Sequence, residues 1–178
     1  MAVISSKIVQ EFKDGNKTAF STIYEETKKF IFNVVYKMVL NREEAEDLMH
    51  DIYIKIYENR AKFNHVFEIK TWIYRVAVNY VLNHQKRKKW LFLKQFDIAF
   101  FYNNQAPMEE ANEEGRAMKL LEKLPDKYKM PIILKDIEEL SYERIAEVLN
   151  IKIGTVRSRL NRGRSKLLAL YKRGEKNE

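Results

Sequence analysis

Cysteine is absent from the 178 residues. That excludes disulfides, thiolate metal sites and a thiol nucleophile. Glycine (five) and proline (three) are scarce, too few for the frequent turns of a β-sandwich or barrel. Long stretches instead carry apolar residues at the 3.6-residue period, so the expected fold is all-α. The apolar stretch 91–102 is too short to span a bilayer and is interrupted by Lys94 and Asp97. The N-terminus lacks a basic region followed by an apolar run, so no signal peptide is expected and the cytoplasm is the expected location. There is no glycine-rich phosphate loop, nucleophile elbow or zinc-type spacing. His50 sits between Asp47 and Asp51 without a second ligand cluster, and His65 and His84 stand alone. Neither an enzyme nor a metal or cofactor protein is expected.

A further absence is local. Residues 151–174 contain eight Lys or Arg and no Asp or Glu, in a chain whose formal net charge is +8. Such one-sidedness suits a polyanionic partner, and net charge alone does not separate nucleic acid from an anionic membrane. The pattern in the same region separates them. Ser141 can cap a short helix over 141–149 that buries Ile145, Ala146 and Leu149. A turn at 150–153 follows, then a second helix over 154–172 with an inward row of Val156, Leu160, Gly163, Leu167 and Leu170. Arg157, Ser158, Asn161 and Arg162 project together from its first two turns, where the second helix of a helix-turn-helix meets base edges in a major groove. Arg159, Arg164 and Lys166 angle away and suit phosphate contact or solvation. An ordinary αα-hairpin with a basic face is the plainer alternative.

The first 90 residues read as a bundle. Ile8, Val9 and Phe12 share a face before the turn Asp14-Gly15-Asn16. A helix over 17–40 carries Phe20, Ile23, Tyr24, Phe30, Ile31, Val35 and Met38. One over 43–59 buries Ala45, Leu48, Ile52 and Ile56, and one over 71–89 buries Trp72, Ile73, Val76, Ala77, Tyr80 and Val81. From Glu43 to Asp51 there are five carboxylates and no cation, whereas the last helix presents Lys70, Arg75, Asn79, Asn83, Lys86 and Arg87. Aromatics beside that basic face (Phe63, Phe67, Trp72, Tyr74, Tyr80) can stack an unpaired base, with Phe67 and Asn79 the candidates for base contact and Trp72 and Tyr80 assigned mainly to packing. Residues 91–116 read as a linker, and 117–178 as a second small domain with helices over 118–124, 126–138, 141–149 and 154–172.

Together these motifs resemble the extracytoplasmic function (ECF) branch of the sigma-70 family, the promoter-recognition subunits of bacterial RNA polymerase. Asp47-Leu48-Met49-His50-Asp51-Ile52-Tyr53-Ile54-Lys55-Ile56-Tyr57 resembles region 2.2, and Thr71-Trp72-Ile73-Tyr74-Arg75-Val76-Ala77-Val78-Asn79 resembles regions 2.3 and 2.4. Leu121-Glu122-Lys123-Leu124-Pro125, residues 140–146 and residues 154–164 resemble region 4. The resemblance implies a non-enzymatic subunit with core RNA polymerase and promoter DNA, duplex and melted strand, as partners. It implies that Asp47, Leu48, Asp51, Ile52 and Lys55 bind polymerase. Phe67, Lys70, Tyr74, Arg75, Asn79 and Asn83 would contact the −10 strand, with Phe67, Ile69 or Lys70 lining a base pocket. Thr155, Arg157, Ser158, Asn161 and Arg162 would read the −35 duplex. The Phe-rich stretch 91–102 suggests an anti-sigma partner that covers it. A conventional helix-turn-helix regulator, dimeric on half-sites one helical turn apart, is the alternative.

Overall fold

The computed structural model describes residues 4–63, 68–95 and 113–174, the side chains of 91–95, 113, 114 and 174 excepted. The elements are α1 (Ser6–Lys13), α2 (Lys17–Val39), α3 (Arg42–Glu58), a 3-10 turn (Arg60–Lys62), α4 (Ile69–Gln95), α5 (Glu113–Glu122), α6 (Asp126–Ile132) continued by a π turn (Ile133–Ile137), α7 (Tyr142–Leu149) and α8 (Ile153–Gly174). Among the described residues there is no strand, as the scarcity of turn residues implies.

Local chemistry fixes where the helices begin. The Ser5 hydroxyl accepts from the Ile8 N–H at 3.3 Å, the Asn16 side chain from Thr18 and Ala19 at 2.8 and 3.1 Å, Asn41 from Glu44 at 2.9 Å, and Ser141 from Arg144 at 3.2 Å. Each satisfies an N–H that the first turn leaves without a helical partner. Gly15 turns the chain from α1 to α2 at φ +89°, a conformation that side chains rarely adopt. Helix α8 starts at Ile153, one residue earlier than the spacing predicts, and the Lys152 carbonyl accepts from Thr155 and Val156.

Helices α1–α4 form the N-terminal bundle around Ile23, Ile31, Val34, Val35, Ile52, Ile56, Ile73, Val78 and Val81. Polar ties brace its faces: the buried Thr27 hydroxyl donates to the Ile23 carbonyl at 2.7 Å and bonds the Tyr53 hydroxyl at 2.8 Å. Helices α5–α8 enclose Met130, Ile132, Ile133, Leu134, Ile145, Val148, Val156 and Leu160. Gly163 lets α8 approach α6 closely, since a Cβ there would stand 2.9 Å from Ile132 Cδ1 and 3.3 Å from Tyr128 Cβ. The row predicted to face inward, with its small residue, does so.

Larger differences from expectation occur in α4, α5 and α6. Helix α4 runs on through Lys86-Arg87-Lys88-Lys89 to Gln95, and α5 begins at Glu113, so the segment read as a linker over 91–116 is helical at both ends. Within the expected range, Lys88 binds the Glu44 carboxylate at 2.8 Å and His84 approaches it at 3.1 Å, which ties this end of α4 to α3. The helix expected over 126–138 changes register to π geometry two residues after Pro131, with the Glu138 N–H bonding the Ile133 carbonyl at 3.0 Å. The expected packing of Phe96, Phe100 and Phe101, and the candidate Phe67, lie outside the described residues.

Candidate nucleic-acid interface

Three surfaces carry the residues predicted from sequence. On α8, Gly154, Arg157, Ser158, Asn161 and Arg162 line one open concavity of about 420 Å³. Arg157, Ser158, Asn161 and Arg162 are exposed, and Thr155 is half-buried behind them, its carbonyl accepting from the Ser158 hydroxyl at 3.0 Å. Among the described residues neither Arg157 nor Arg162 has a hydrogen bond or ion pair, so both guanidiniums keep their donors for a ligand. Arg164 is different. It makes a two-pronged pair with Asp136 on the π turn, which fixes α8 to its neighbour, and its pKa is raised chiefly by that hydrogen bond. Lys166 stands over the Tyr128 ring at 6.0 Å. One face of α8 is therefore tied down, and the other is open and cationic.

On α4 the predicted residues divide. Lys70 pairs with Glu26 at 3.3 Å. Tyr74 is 4% exposed, stacked on Phe30 with centroids 3.7 Å apart, and burial pushes its phenol up to about 12. Arg75 donates from Nε and Nη2 to the Glu147 carbonyl at 3.0 and 2.6 Å. Asn79 and Asn83 are exposed a turn apart. Ile69 is buried at 5% and faces the core. Trp72 packs against Phe63 with centroids 5.7 Å apart, a packing role as predicted.

On α3 one expectation is corrected. Leu48 is 3% exposed and Ile52 0%, both in the bundle core beside Ala45 and Ile56. They shape the helix's seat and present no surface to a partner. The outward row is Asp47, Asp51, Ile54 and Glu58, with Lys55 beside it and Ile54 46% exposed. Asp51 accepts from the Tyr80 hydroxyl at 2.9 Å, and Lys55 pairs with Glu58 at 3.3 Å. The signal for Ile54 was in the register: if positions 45, 48, 52 and 56 point inward, 47, 51, 54 and 58 must point outward. Beside this row, Tyr24, Glu46, Met49, His50 and Tyr53 line a cleft of about 220 Å³.

Sequence reasoning also missed Glu68, Thr71 and Arg144. Arg144 on α7 donates to the Thr71 hydroxyl and pairs with Glu68, whose carboxyl is held below its ordinary range by that hydrogen bond. No local pattern links positions more than 70 residues apart. Among the described residues no cluster of His, Asp and Glu is arranged to hold a metal ion, and no helix is long and apolar enough to cross a membrane.

Comparison with known proteins gives two family matches, Sigma-70 region 2 over residues 23–91 and Sigma-70 region 4 over residues 114–167. The chain is 32% identical to the ECF RNA polymerase sigma factor SigW of Bacillus subtilis, covering 94% of this chain and 96% of that one. It is 28% identical to the RNA polymerase sigma-H factor of Pseudomonas aeruginosa, over 89% of each. Among solved structures it resembles CnrH, determined in complex with the cytosolic domain of CnrY (TM-score 0.71, 18% identity, 96% of this chain and 98% of that one). It also resembles the sigma factor RpoE of Bartonella quintana, determined with the anti-sigma factor NepR (TM-score 0.68, 21% identity, 86% and 96%). These two likenesses concern the fold.

Proposed function

From the premise that the chain belongs to the ECF group of the sigma-70 family, we propose that it directs core RNA polymerase to a two-part promoter: α8 reads the −35 duplex and α4 captures the melted −10 strand. The open face of α8 carries this reading. Two unpaired guanidiniums, an amide and a hydroxyl share one concavity on the first two turns of the second helix of a helix-turn-helix, a set that can hydrogen-bond guanine and adenine edges. Gly154 adds no side chain at its rim, leaving room for the DNA backbone.

The outward row of α3 is the proposed polymerase contact, with Asp47, Asp51 and Ile54 at its centre and Lys55 at its edge. Exposed carboxylates around one exposed isoleucine suit a basic helical partner with an apolar anchor. Asn79 and Asn83 are proposed −10 contacts, with the half-buried Lys70 and Arg75 beside them, whereas Tyr74, buried against Phe30, is corrected from a strand contact to a packing residue. Phosphodiester chemistry belongs to the polymerase, so the chain itself is proposed to act without catalysis, in the compartment that holds the DNA. Regulation by an anti-sigma partner is proposed on the analogy of the Bartonella neighbour.

The test is binding to a −35 duplex selected from random sequence. Arg157→Ala or Arg162→Ala should weaken the preferred site by about 1–3 kcal/mol and relax selectivity at one base pair. Equal loss on every sequence would assign the residue to phosphate instead, and no loss in either variant would overturn the assignment of this face. Selection of a palindrome bound by a dimer would favour a conventional regulator.

A further inference from the structure

Helix α4 continues past Asn83 to Gln95, and its 27 residues include no Asp or Glu. One side of that tail is tied to the bundle. His84 and Lys88 meet the Glu44 carboxylate at 3.1 and 2.8 Å, and the Gln85 side chain donates to the Met38 carbonyl at 2.9 Å. The opposite side carries Asn79, Asn83, Lys86 and Trp90, at i, i+4, i+7 and i+11. All four are exposed, Trp90 by 55%, and the exposed Arg87 and Lys89 flank the row. Among the described residues Lys86, Arg87 and Lys89 make no hydrogen bond or ion pair, in contrast to Lys88.

A single exposed tryptophan is ordinary on a protein surface. Its register here is not. Trp90 prolongs the row that Asn79 and Asn83 begin, so a ligand lying along that row meets an indole set among three unpaired cations. At 1.5 Å per residue, Trp90 lies about 16 Å beyond Asn79, a distance that about five base pairs of duplex occupy. With Asn79 at an unpaired base, the DNA level with Trp90 is still paired. Paired bases offer no face to stack on, so what the tail can take is backbone: phosphates for the three cations and a deoxyribose for the indole.

We propose that the tail of α4, through Lys86, Arg87, Lys89 and Trp90, grips the sugar–phosphate backbone of the duplex immediately upstream of the melted −10 element, without reading its sequence. The chain runs on from this tail toward α8, so the duplex it meets is the stretch between the two recognised elements. A hold there fixes the paired side of the junction while Asn79 and Asn83 keep the unpaired side. The strands are then opened against a fixed point. The proposal rests on the −10 reading of those two asparagines, and the experiment separates the two.

Two forked DNAs test this with the full chain assembled on core polymerase. Both carry, as an unpaired strand, the −10 sequence mapped from chain-dependent start sites. The short fork ends at the upstream edge of that element, and the long one adds about six base pairs of duplex, enough to pass Trp90. The quantity read for each chain is the gain in affinity from short to long. The parent should gain roughly tenfold, whatever the sequence of the added pairs. A triple variant, Lys86→Gln with Arg87→Gln and Lys89→Gln, keeps good helix formers and should lose most of that gain. Its slope of log affinity against log salt on the long fork should be shallower by about two to three. Trp90→Ala should give up roughly fivefold of the gain with the slope unchanged, since it removes no charge. Because the chain has no cysteine, Trp90→Cys can carry one DNA-cleaving iron chelate, whose cuts should centre about five base pairs upstream of the −10 element. Circular dichroism checks that helix content is kept. A parent that fails to bind the short fork would refute the −10 reading and the proposal with it. A parent that binds it, with the same gain in the triple variant and in Trp90→Ala, would overturn the tail contact alone. Equal gain with the triple variant released from core polymerase would assign the tail to protein instead, and a gain that depends on the added sequence would overturn the backbone mode.

Discussion

Replacing Gly163 by alanine sets two effects of known size against each other. In a helix interior alanine is favoured over glycine by about 0.8–1.0 kcal/mol. At this position, however, the new Cβ would stand 2.9 Å from Ile132 Cδ1, 3.3 Å from Tyr128 Cβ and 3.4 Å from the Tyr128 carbonyl oxygen. The Ile132 methyl is the tip of a side chain, but that side chain is 3% exposed and enclosed by the C-terminal core, and the Tyr128 atoms belong to or adjoin the α6 backbone. Overpacking of this kind costs about 1–3 kcal/mol. The net expectation is a loss of about 1 kcal/mol, or about 4–8 °C in the melting of a domain this small. Urea unfolding followed by circular dichroism measures it. Ile132→Val, which removes the clashing methyl, should cost about 0.5–1.5 kcal/mol alone, yet the double variant should lose about 1 kcal/mol less than the sum. If Gly163→Ala stabilises the chain by about 1 kcal/mol, propensity alone governs the site and the close approach of α8 to α6 is refuted.

Three further outcomes follow from the same geometry. Glu139 is exposed at φ 57°; Glu139→Gly should raise stability by about 0.5–1 kcal/mol, because the left-handed strain it relieves exceeds the entropy added to the unfolded chain, and an unchanged or lower urea midpoint would contradict this. Tyr53→Phe removes the Tyr53–Thr27 bond but leaves Thr27 donating to Ile23, so a loss of about 1 kcal/mol is expected near neutrality, and a loss above 3 would show that the pair is more tightly coupled. Burial raises the phenols of Tyr53 and Tyr74 above their ordinary value of 10.0, Tyr74 to about 12. The folded state therefore holds protons that the unfolded state gives up, its full contribution is present below pH 10, and stability should fall as pH climbs to about 12. Tyr74→Phe should flatten that decline, and an equally steep decline in the variant would refute it.

The helices were legible because their determinants are local. Ser5, Asn16, Asn41 and Ser141 announce helix starts, and the 3.6-residue rows identified the cores, down to the small Gly163 facing α6. The helix-turn-helix was legible for the same reason, and Arg157, Ser158, Asn161 and Arg162 do gather on one open concavity. What failed to show depends on partners distant in sequence. Helix α4 was expected to end at Lys89, yet it continues to Gln95, with Lys88 held by Glu44 of α3 just before that point. Leu48 and Ile52 were given both a core and a surface role; the helical register permits only the first, and assigns the outward position to Ile54. The pairing of Arg144 with Glu68 and of Arg75 with Glu147 arises only when two domains meet, so no periodicity within either one foretells it.

The central claim is promoter-directed initiation, and reconstitution tests it most directly. The full chain added to bacterial core RNA polymerase, with a fragmented genomic template and the four nucleotides, should yield discrete run-off transcripts that core alone does not produce. Their start sites should share two upstream sequence elements. Arg157→Ala and Arg162→Ala should reduce those transcripts, and Asp51→Lys on the outward row of α3 should lower the amount of chain that co-purifies with core. No chain-dependent transcript from any template, with tight duplex binding by the chain alone, would contradict the account.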